Sequence, residues 1–86
     1  MSYFVYILYS ESADRYYIGS TADIQQRLLK HNSGGNTSTK PFRPWKVVYT
    51  ESYENRSAAL KREIQIKRMK SRKFIEALVQ GGDSDA

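Results

Sequence analysis

The sequence predicts one small α/β domain of the α+β type, in which helices flank a three-stranded antiparallel sheet in the order β-β-α-β-α-α. Residues 3–9 are aliphatic or aromatic at odd and even positions alike, as in a strand covered on both faces. Residues 45–53 alternate apolar and polar side chains, as in a further strand. The length of 86 residues suffices for a single domain. We therefore expect the first strand at the centre of the sheet, paired with both others.

The polar residues 10–14 are typical of a turn, and a second strand follows at residues 15–19. The short separation predicts an antiparallel hairpin. Thr21 is the expected N-cap of the first helix, with Asp23 in its first turn. This helix runs to about His31 and ends in the Gly-rich residues 32–35.

Residues 36–44 contain two prolines and many polar side chains, and we expect a loop too polar to pack. After the third strand, Asn55 or Ser57 caps a helix that continues to Met69 or Lys70. Ser71 can cap a third helix over residues 72–79. Residues 1–80 are thus expected to form the domain, and residues 81–86 a disordered C-terminal tail.

Composition excludes several classes of site. The chain has no Cys, which removes disulfides, thiol catalysis and thiolate metal ligands, and its single His disfavours structural zinc. A resident metal would be a hard cation held by carboxylate and water. The N-terminus lacks the pattern of a signal peptide, and no apolar run approaches the roughly 20 residues that span a bilayer. We therefore expect a cytoplasmic protein without a membrane partner.

Positive charge is concentrated in one segment. The net charge is +5, and residues 56–73 hold eight Lys or Arg but one acid, Glu63. Such a patch favours a polyanionic partner, because phosphates release counterions when they are neutralised. The residues that we expect to contact nucleic acid are Lys61, Arg62, Lys67, Arg68 and Lys70. A merely solvated basic helix is the alternative.

Glu63 breaks the pattern of its helix. At about 100° per residue, an apolar arc is formed by Ala59, Leu60, Ile64 and Ile66. Glu63 falls within this arc, where an unpaired carboxylate would cost several kcal/mol if buried. It should therefore have a partner, such as Lys67 one turn later, or hold a divalent cation.

The first helix offers a complementary pair. Arg27 and His31 are four residues apart and so share a face. Arg suits bidentate phosphate binding, and His can accept a proton near pH 7, although a helix C-terminal His often serves only the helix dipole. In the strands, Tyr6 lies mid-strand and Tyr17 lies two residues before Gly19, where a strand glycine suggests a close approach.

Taken in order, these residues resemble the GIY-YIG nuclease family. The second triplet is intact as Tyr17-Ile18-Gly19, while the first is degenerate, Phe4-Val5-Tyr6, and keeps its tyrosine eleven positions before Tyr17. The further matches are Ser20-Thr21, Arg27, His31-Asn32, the run Trp45-Lys46-Val47-Val48-Tyr49, and Glu63 followed by Ile66-Lys67. The resemblance extends from Tyr3 to about Leu78. It is closest to a small stand-alone bacterial branch that is similar to the nuclease domain of the DNA-repair excinuclease.

The resemblance implies a metal-dependent endonuclease that hydrolyses phosphodiester bonds. Glu63 would ligate Mg²⁺ or Mn²⁺, and Arg27 would stabilise the pentacovalent phosphate. Tyr6 would orient or deprotonate the attacking water, for which it would need a phenol pKa lowered from about 10. Tyr17 would hydrogen-bond the phosphate or the water, and His31 would relay the proton. The residues leave open how these three share the role of base.

Two other functions are compatible with the composition. Basic charge with Tyr and Trp also suits a non-catalytic module that binds single strands, and a basic helix can serve a protein adaptor. Glu63 favours the nuclease, because a binding module has no use for a carboxylate among eight cations. The family favours DNA over RNA. The chain has little room for a recognition domain, so we expect structure-directed cutting, with a protein partner where targeting is needed. The sequence does not indicate an oligomeric state.

Overall fold

The computed structural model describes residues 2–81, and its elements follow the expected order β-β-α-β-α-α. The strands are β1 (Tyr3–Ser10), β2 (Arg15–Thr21) and β3 (Lys46–Tyr53). The helices are α1 (Ile24–Asn32), α2 (Arg56–Met69) and α3 (Arg72–Gly81), and a short 3-10 helix spans Lys40–Phe42. Gly81, expected in the tail, ends α3, and the remaining tail residues 82–86 lie outside the described range.

The sheet has the order β2-β1-β3, and both pairings are antiparallel. This arrangement confirms the central position predicted for β1. Tyr6 lies opposite Gly19 on β2 and Thr50 on β3. An irregularity in the β1–β3 register follows Ile7. Within residues 2–81, β2 is an edge strand that pairs only with β1.

Alternate residues of β1 serve two separate cores, which explains its hydrophobicity at odd and even positions. On one face, the core beneath α2 and α3 includes Val5, Ile7, Ile18, Ala59 and Ile66. On the other face, Tyr6, Leu8 and Trp45 form a second core, against which Leu28 of α1 packs. Val5 and Ile7 are wholly inaccessible to solvent. Full burial of side chains of this size stabilises the fold by about 1.5–3 kcal/mol each.

Two local expectations need correction, and a third is confirmed. Thr21 ends β2 and is buried; Asp23 caps α1, and its carboxylate accepts a hydrogen bond from the Gln26 amide at 3.1 Å. The segment 36–44 does pack, because Thr39 is 2% exposed and Phe42 contacts the second core. Asn55 caps α2 as expected, accepting from the Ala58 amide at 2.9 Å.

The core-facing side of α2 also differs from the predicted arc. Ala59 and Ile66 are buried, whereas Leu60 and Ile64 are 41% and 47% exposed. Helical periodicity places these four side chains within one arc, but the sheet covers only one edge of it. No helix within residues 2–81 is long and apolar enough to cross a membrane.

Candidate active site

The phenol of Tyr6 lies directly over Gly19 of the neighbouring strand. A β-carbon built on Gly19 would stand 2.5 Å from the Tyr6 hydroxyl oxygen and 2.6 Å from Cζ. Such separations are far inside van der Waals contact, so the ring needs a residue without a side chain at this position. Because Gly19 has no side chain, the Tyr6 ring can lie across β2 and extend towards the edge of the sheet.

His31, near the end of α1, is buried against this phenol. Its Nε2 is 3.3 Å from the Tyr6 hydroxyl, and its Nδ1 is 2.9 Å from Oγ1 of Thr39. Because the Thr39 hydroxyl also donates to the Asn36 carbonyl at 3.3 Å, its oxygen is free to accept from Nδ1–H. We assign the proton to Nδ1 on this network, which leaves Nε2 to accept from Tyr6.

The pKa of His31 lies below its usual 6.5, because burial and then the charges of Arg27 and Lys30 disfavour the imidazolium. His31 is therefore neutral at pH 7. A neutral imidazole with a free Nε2 lone pair can accept a proton from the phenol that faces it.

Tyr17 completes an aromatic cluster around the imidazole. Its ring centroid is 4.8 Å from that of His31, 6.4 Å from that of Tyr6 and 6.3 Å from that of Trp45. The two tyrosines occupy the same face of adjacent strands, since Tyr17 pairs with Leu8 and Gly19 with Tyr6. Strand alternation thus places both tyrosine rings on the α1 side of the sheet, next to His31.

Arg27, one turn before His31 on α1, lies beside the Tyr6 phenol. Burial, Tyr17 and the charge of Glu63 raise the pKa of Tyr6 to about 12, against the lowering effects of Arg27 through its charge and a hydrogen bond. The mechanism expected from the sequence needs a lowered phenol pKa. The pKa of Tyr6 is raised instead, because the effect of burial outweighs that of the nearby guanidinium. The Tyr6 phenol of the protein alone therefore keeps its proton at neutral pH.

Glu63 approaches from the other side of the β2 edge. Its Oε1 accepts from the Ser20 hydroxyl at 2.6 Å, and its Oε2 accepts from the Lys67 ammonium at 2.7 Å. Ser20 pairs with Val5, on the α2 face of the sheet. The charge of Glu63 still acts on the Tyr6 phenol. The carboxylate thus lies within electrostatic reach of the aromatic cluster across a single strand.

The surroundings of Glu63 fit a lightly held hard cation rather than a protein cage. Within residues 2–81 no group of three or more His, Cys, Asp or Glu could enclose a metal ion. The Glu63 side chain is 13% exposed and that of Lys67 is 50% exposed, so Lys67 can move into solvent while the carboxylate stays. Mg²⁺ commonly binds through one or two carboxylates together with waters and substrate phosphates. Glu63 can supply the single protein ligand of such a site.

The predicted nucleic-acid contacts divide into two groups. Lys61, Lys67, Arg68 and Lys70 are exposed. Arg62 is only 22% exposed and is held by Glu51, whose carboxylate lies 2.9 Å from its Nε and 3.1 Å from its Nη2. Of the five predicted contacts, the other four side chains therefore carry the exposed positive charge.

Two partners of the site were missed at the sequence level. Ser20 belongs to the quoted pattern but had no role there, and Thr39 was placed in a loop expected not to pack. Both are polar residues of ordinary type, and their partners lie 43 and 8 residues away. Only the placement of Ser20 directly after the strand glycine was a usable signal.

Comparisons with known proteins identify the family of the chain. The GIY-YIG catalytic domain matches residues 2–75. A UPF0213 protein of Syntrophus aciditrophicus is 42% identical over 80 residues, which is 90% of each chain. A UPF0213 protein of Staphylococcus aureus is 46% identical over 67 residues, or 77% of this chain and 80% of that relative.

A solved structure supports the same relationship. The solution NMR structure of a UPF0213 protein from Bacillus halodurans matches with a TM-score of 0.61 and 31% identity, covering 99% of this chain and 89% of that one. The family match spans both strands of the tyrosine cluster, α1 and α2 with Glu63. The chain belongs to the GIY-YIG catalytic domain family, a family of nucleases.

Proposed function

We propose that this protein is an endonuclease that uses Mg²⁺ or Mn²⁺ to hydrolyse phosphodiester bonds in nucleic acid. DNA is the proposed substrate, and its structure rather than its sequence directs cutting. One observation carries the proposal: the Tyr6 phenol is hydrogen-bonded to a neutral His31, next to Arg27 and within the field of Glu63. This arrangement brings a proton acceptor, a phosphate-binding cation and a carboxylate to one edge of the sheet.

Arg27 and Glu63 have complementary roles towards the scissile phosphate. The Arg27 guanidinium lies beside the Tyr6 hydroxyl and can bind a phosphate oxygen, stabilising the charge that develops during displacement. Glu63 would hold the divalent cation, which supplies polarisation of the phosphate and stabilisation of the leaving 3′ oxygen. Ser20 would keep the Glu63 carboxylate oriented when Lys67 moves away.

Tyr6 and His31 are proposed to act as a unit towards the attacking water. With a pKa raised to about 12, the Tyr6 phenol is a poor base by itself. It can accept the water proton if it passes its own proton to Nε2 of His31, 3.3 Å away. The imidazolium so formed keeps its Nδ1–H bond to Thr39. Tyr17, against the His31 ring, would hydrogen-bond the phosphate or the water.

The ion pair between Glu63 and Lys67 favours a second function. If the role of Glu63 is limited to its ion pair with Lys67, the chain is a module that binds nucleic acid without hydrolysing it. The two functions give different expectations for Glu63→Gln, which removes the charge but keeps the size of the side chain. If Glu63 is a metal ligand, the variant loses cleavage while its folded fraction is preserved. If Glu63 forms only a structural ion pair, the variant loses stability instead.

The test measures cleavage of single-stranded, duplex, flapped and branched DNA with Mg²⁺ or Mn²⁺. Native protein is compared with Glu63→Gln and with Glu54→Gln, a matched control at an exposed position outside the site. We expect cleavage by the native protein and by Glu54→Gln, and background cleavage by Glu63→Gln with unchanged nucleic-acid affinity. Thermal unfolding is recorded on each sample. If Glu63→Gln lowers the Tm and keeps full activity per folded molecule, Glu63 is not a metal ligand.

A further inference from the structure

A second cationic surface lies on α1 and the segment that follows it, away from the basic residues 56–73. Residues 24–50 hold five Lys or Arg and no Asp or Glu. Four of these cations precede β3: Arg27, Lys30, Lys40 and Arg43. Within residues 2–81, none of the four has a carboxylate within ion-pair distance. The described part of the chain therefore leaves the positive charge of this surface unpaired.

The turn after α1 brings three of these cations together. A β-carbon built on Gly34 would stand 3.1 Å from Nη1 of Arg43 and 3.5 Å from Cδ of Lys40. A β-carbon built on Gly35 would stand 3.0 Å from Cγ of Lys30. Because the two glycines are adjacent, side chains from α1 and from the 3-10 helix region meet at one turn. Lys30, Lys40 and Arg43, all exposed, are called the α1-turn cluster below.

Arg27 joins the α1-turn cluster to the candidate active site. It lines a depression on α1 together with Lys30 and with the polar side chains of Gln26 and Ser33. Among the described residues that line this depression, none is acidic. Arg27 also lies beside the Tyr6 phenol. Positive charge therefore continues from the proposed position of the scissile phosphate to the turn after α1.

The α1-turn cluster has the chemistry of a phosphate-binding surface. Like charges held together without counter-charges repel one another, so the binding of an anion relieves the arrangement. The Nε of Arg43 donates to the carbonyl oxygen of Lys40 at 3.0 Å, which orients the guanidinium. An oriented guanidinium beside two ammonium groups suits the oxygens of successive phosphates.

An acidic protein fits the α1-turn cluster less well than nucleic acid does. Protein interfaces are built around a well-packed apolar centre with a polar rim. Among the described residues of α1, the one large apolar side chain that is exposed is Leu29, at 66%. A polyanion that presents phosphates needs no apolar centre. The composition of the surface therefore favours the backbone of nucleic acid.

We propose that the α1-turn cluster binds the phosphate backbone of the nucleic acid on one flank of the bond that is cut. The link to cutting rests on the proposed function, whereas the binding itself does not. Since α1 and α2 pack on opposite faces of the sheet, the exposed lysines of α2 are placed to bind the other flank. A substrate held on both flanks is cut at an internal bond rather than at an end.

The test compares binding of a short labelled DNA duplex by native protein and by three variants. The cluster variant removes two Lys and one Arg: Lys30→Gln, Lys40→Gln and Arg43→Gln. The scattered control removes the same number of each at exposed positions elsewhere: Lys46→Gln, Arg56→Gln and Lys73→Gln. The charge-retaining variant is Lys30→Arg with Lys40→Arg. Affinity is measured by fluorescence anisotropy over a range of salt concentrations, without divalent ions, so that cleavage does not enter.

We expect the cluster variant to reduce the log–log salt slope by about 2.7, from about 0.9 for each of three lost phosphate contacts. The charge-retaining variant should keep the native slope, and the scattered control should reduce it by less than the value for one contact. Thermal unfolding of each sample establishes that the variants are folded. If the cluster variant does not fold, Lys30→Gln alone should reduce the slope by about 0.9.

Two results would overturn the proposal. The first is a cluster variant that keeps the native slope, or reduces it no more than the scattered control does. The second is polyglutamate that binds the native protein as tightly as the duplex does, because the surface would then be a site for acidic protein.

Failure of this proposal is distinguishable from failure of the nuclease. Unchanged binding in the cluster variant, together with cleavage that depends on Glu63, would leave a nuclease that holds its substrate elsewhere. Conversely, a reduced salt slope without any cleavage by native protein would leave the α1-turn cluster as the binding site of a non-catalytic module.

Discussion

Tyr6 and Gly19 are matched so closely that the phenol of one occupies the space that a β-carbon on the other would need. The 2.5 Å separation involves the hydroxyl end of the ring, which is also the end that contacts His31. The identity of residue 19 therefore controls the position of the proposed proton acceptor. Gly19 lies in an ordinary strand conformation, so its requirement is for space and not for an unusual backbone angle.

Gly19→Ala is expected to displace the Tyr6 ring and to separate its hydroxyl from His31. Overpacking of this kind costs about 1–3 kcal/mol, so the free energy of unfolding should fall by that amount. Cleavage per folded molecule should fall as well, because the phenol is displaced. Urea unfolding and cleavage assays on one preparation measure both. An alanine variant with native stability and native activity would show that the ring can shift without consequence.

Tyr6→Phe is expected to lower the cleavage rate by roughly 100- to 10,000-fold, the usual contribution of a positioned acid–base group. The ring and its packing are kept, so nucleic-acid affinity should stay near that of the native protein. Single-turnover cleavage with saturating protein measures the effect. Tyr9→Phe is a suitable control, because its hydroxyl contacts Asp14 at the surface. A rate within a few-fold of native would remove Tyr6 from the proton transfer.

The pH dependence of cleavage should report the His31 imidazole. Burial and the nearby cations lower its pKa below 6.5, so the neutral form needed to accept a proton persists into mildly acidic solution. Activity should rise with pH through this lowered pKa and have an acid limb below pH 6.5. The limb is measured from single-turnover rates with Mn²⁺ or Mg²⁺. An acid limb above 6.5 would contradict the assignment to His31.

Ser20→Ala is expected to weaken binding of Mn²⁺ to the protein by about 10- to 100-fold, as is typical when a ligand loses its supporting hydrogen bond. Lys67→Met should have the opposite effect, since it removes the ammonium that competes for Oε2 of Glu63. Electron paramagnetic resonance of free Mn²⁺ measures both without any substrate. Ser20→Thr should retain affinity, and Ser52→Ala, at an exposed position of β3, is the control. Equal Mn²⁺ affinities in all four variants would show that Glu63 does not hold the metal.

The half-buried pair of Glu51 and Arg62 should support stability in a pH-dependent manner. Burial alone would raise the pKa of Glu51, but hydrogen bonds from Arg62, Tyr49 and Tyr53 lower it below the usual 4.5. A carboxyl whose pKa is lower in the folded chain contributes fully above its unfolded pKa, and this contribution is lost as the pH falls through the folded value. Glu51→Gln should therefore cost about 1–3 kcal/mol at pH 7 and progressively less below pH 4.5. Urea unfolding from pH 7 down to pH 3 measures the difference, and a constant difference would contradict the linkage.

Local sequence patterns were sufficient for the strand order and for most of the helices. Hydrophobicity at successive positions of β1 placed it at the centre, because only a strand covered on both faces needs it. The Asn55 cap was also predictable from the local sequence, because Asn is a preferred N-cap residue. The N-cap at Asp23 was not, because Thr21 has an equally suitable side chain, and only the extension of β2 to Thr21 decides between them.

The candidate site was predictable as a set of residues, but its electrostatics were not. Glu63 was expected to have a partner, and Lys67 is one, but Ser20 enters only through the packing of α2 on β2. The raised pKa of Tyr6 depends on burial by tertiary contacts, which no spacing along the chain reports. The exposure of Leu60 and Ile64 has the same origin, since a helical period does not fix where the sheet meets the helix.

The position of Tyr6 between Val5 and Ile7 on the central strand ties the site to the most protected part of the molecule. Both neighbours are inaccessible to solvent, and β1 is hydrogen-bonded on both sides. Segments of this kind open only with the whole cooperative unit, so their amide protons exchange slowest. A local opening of the chain therefore cannot expose Tyr6. Heating should remove the site and the fold at one midpoint, and partial fraying of α3 should leave the site intact.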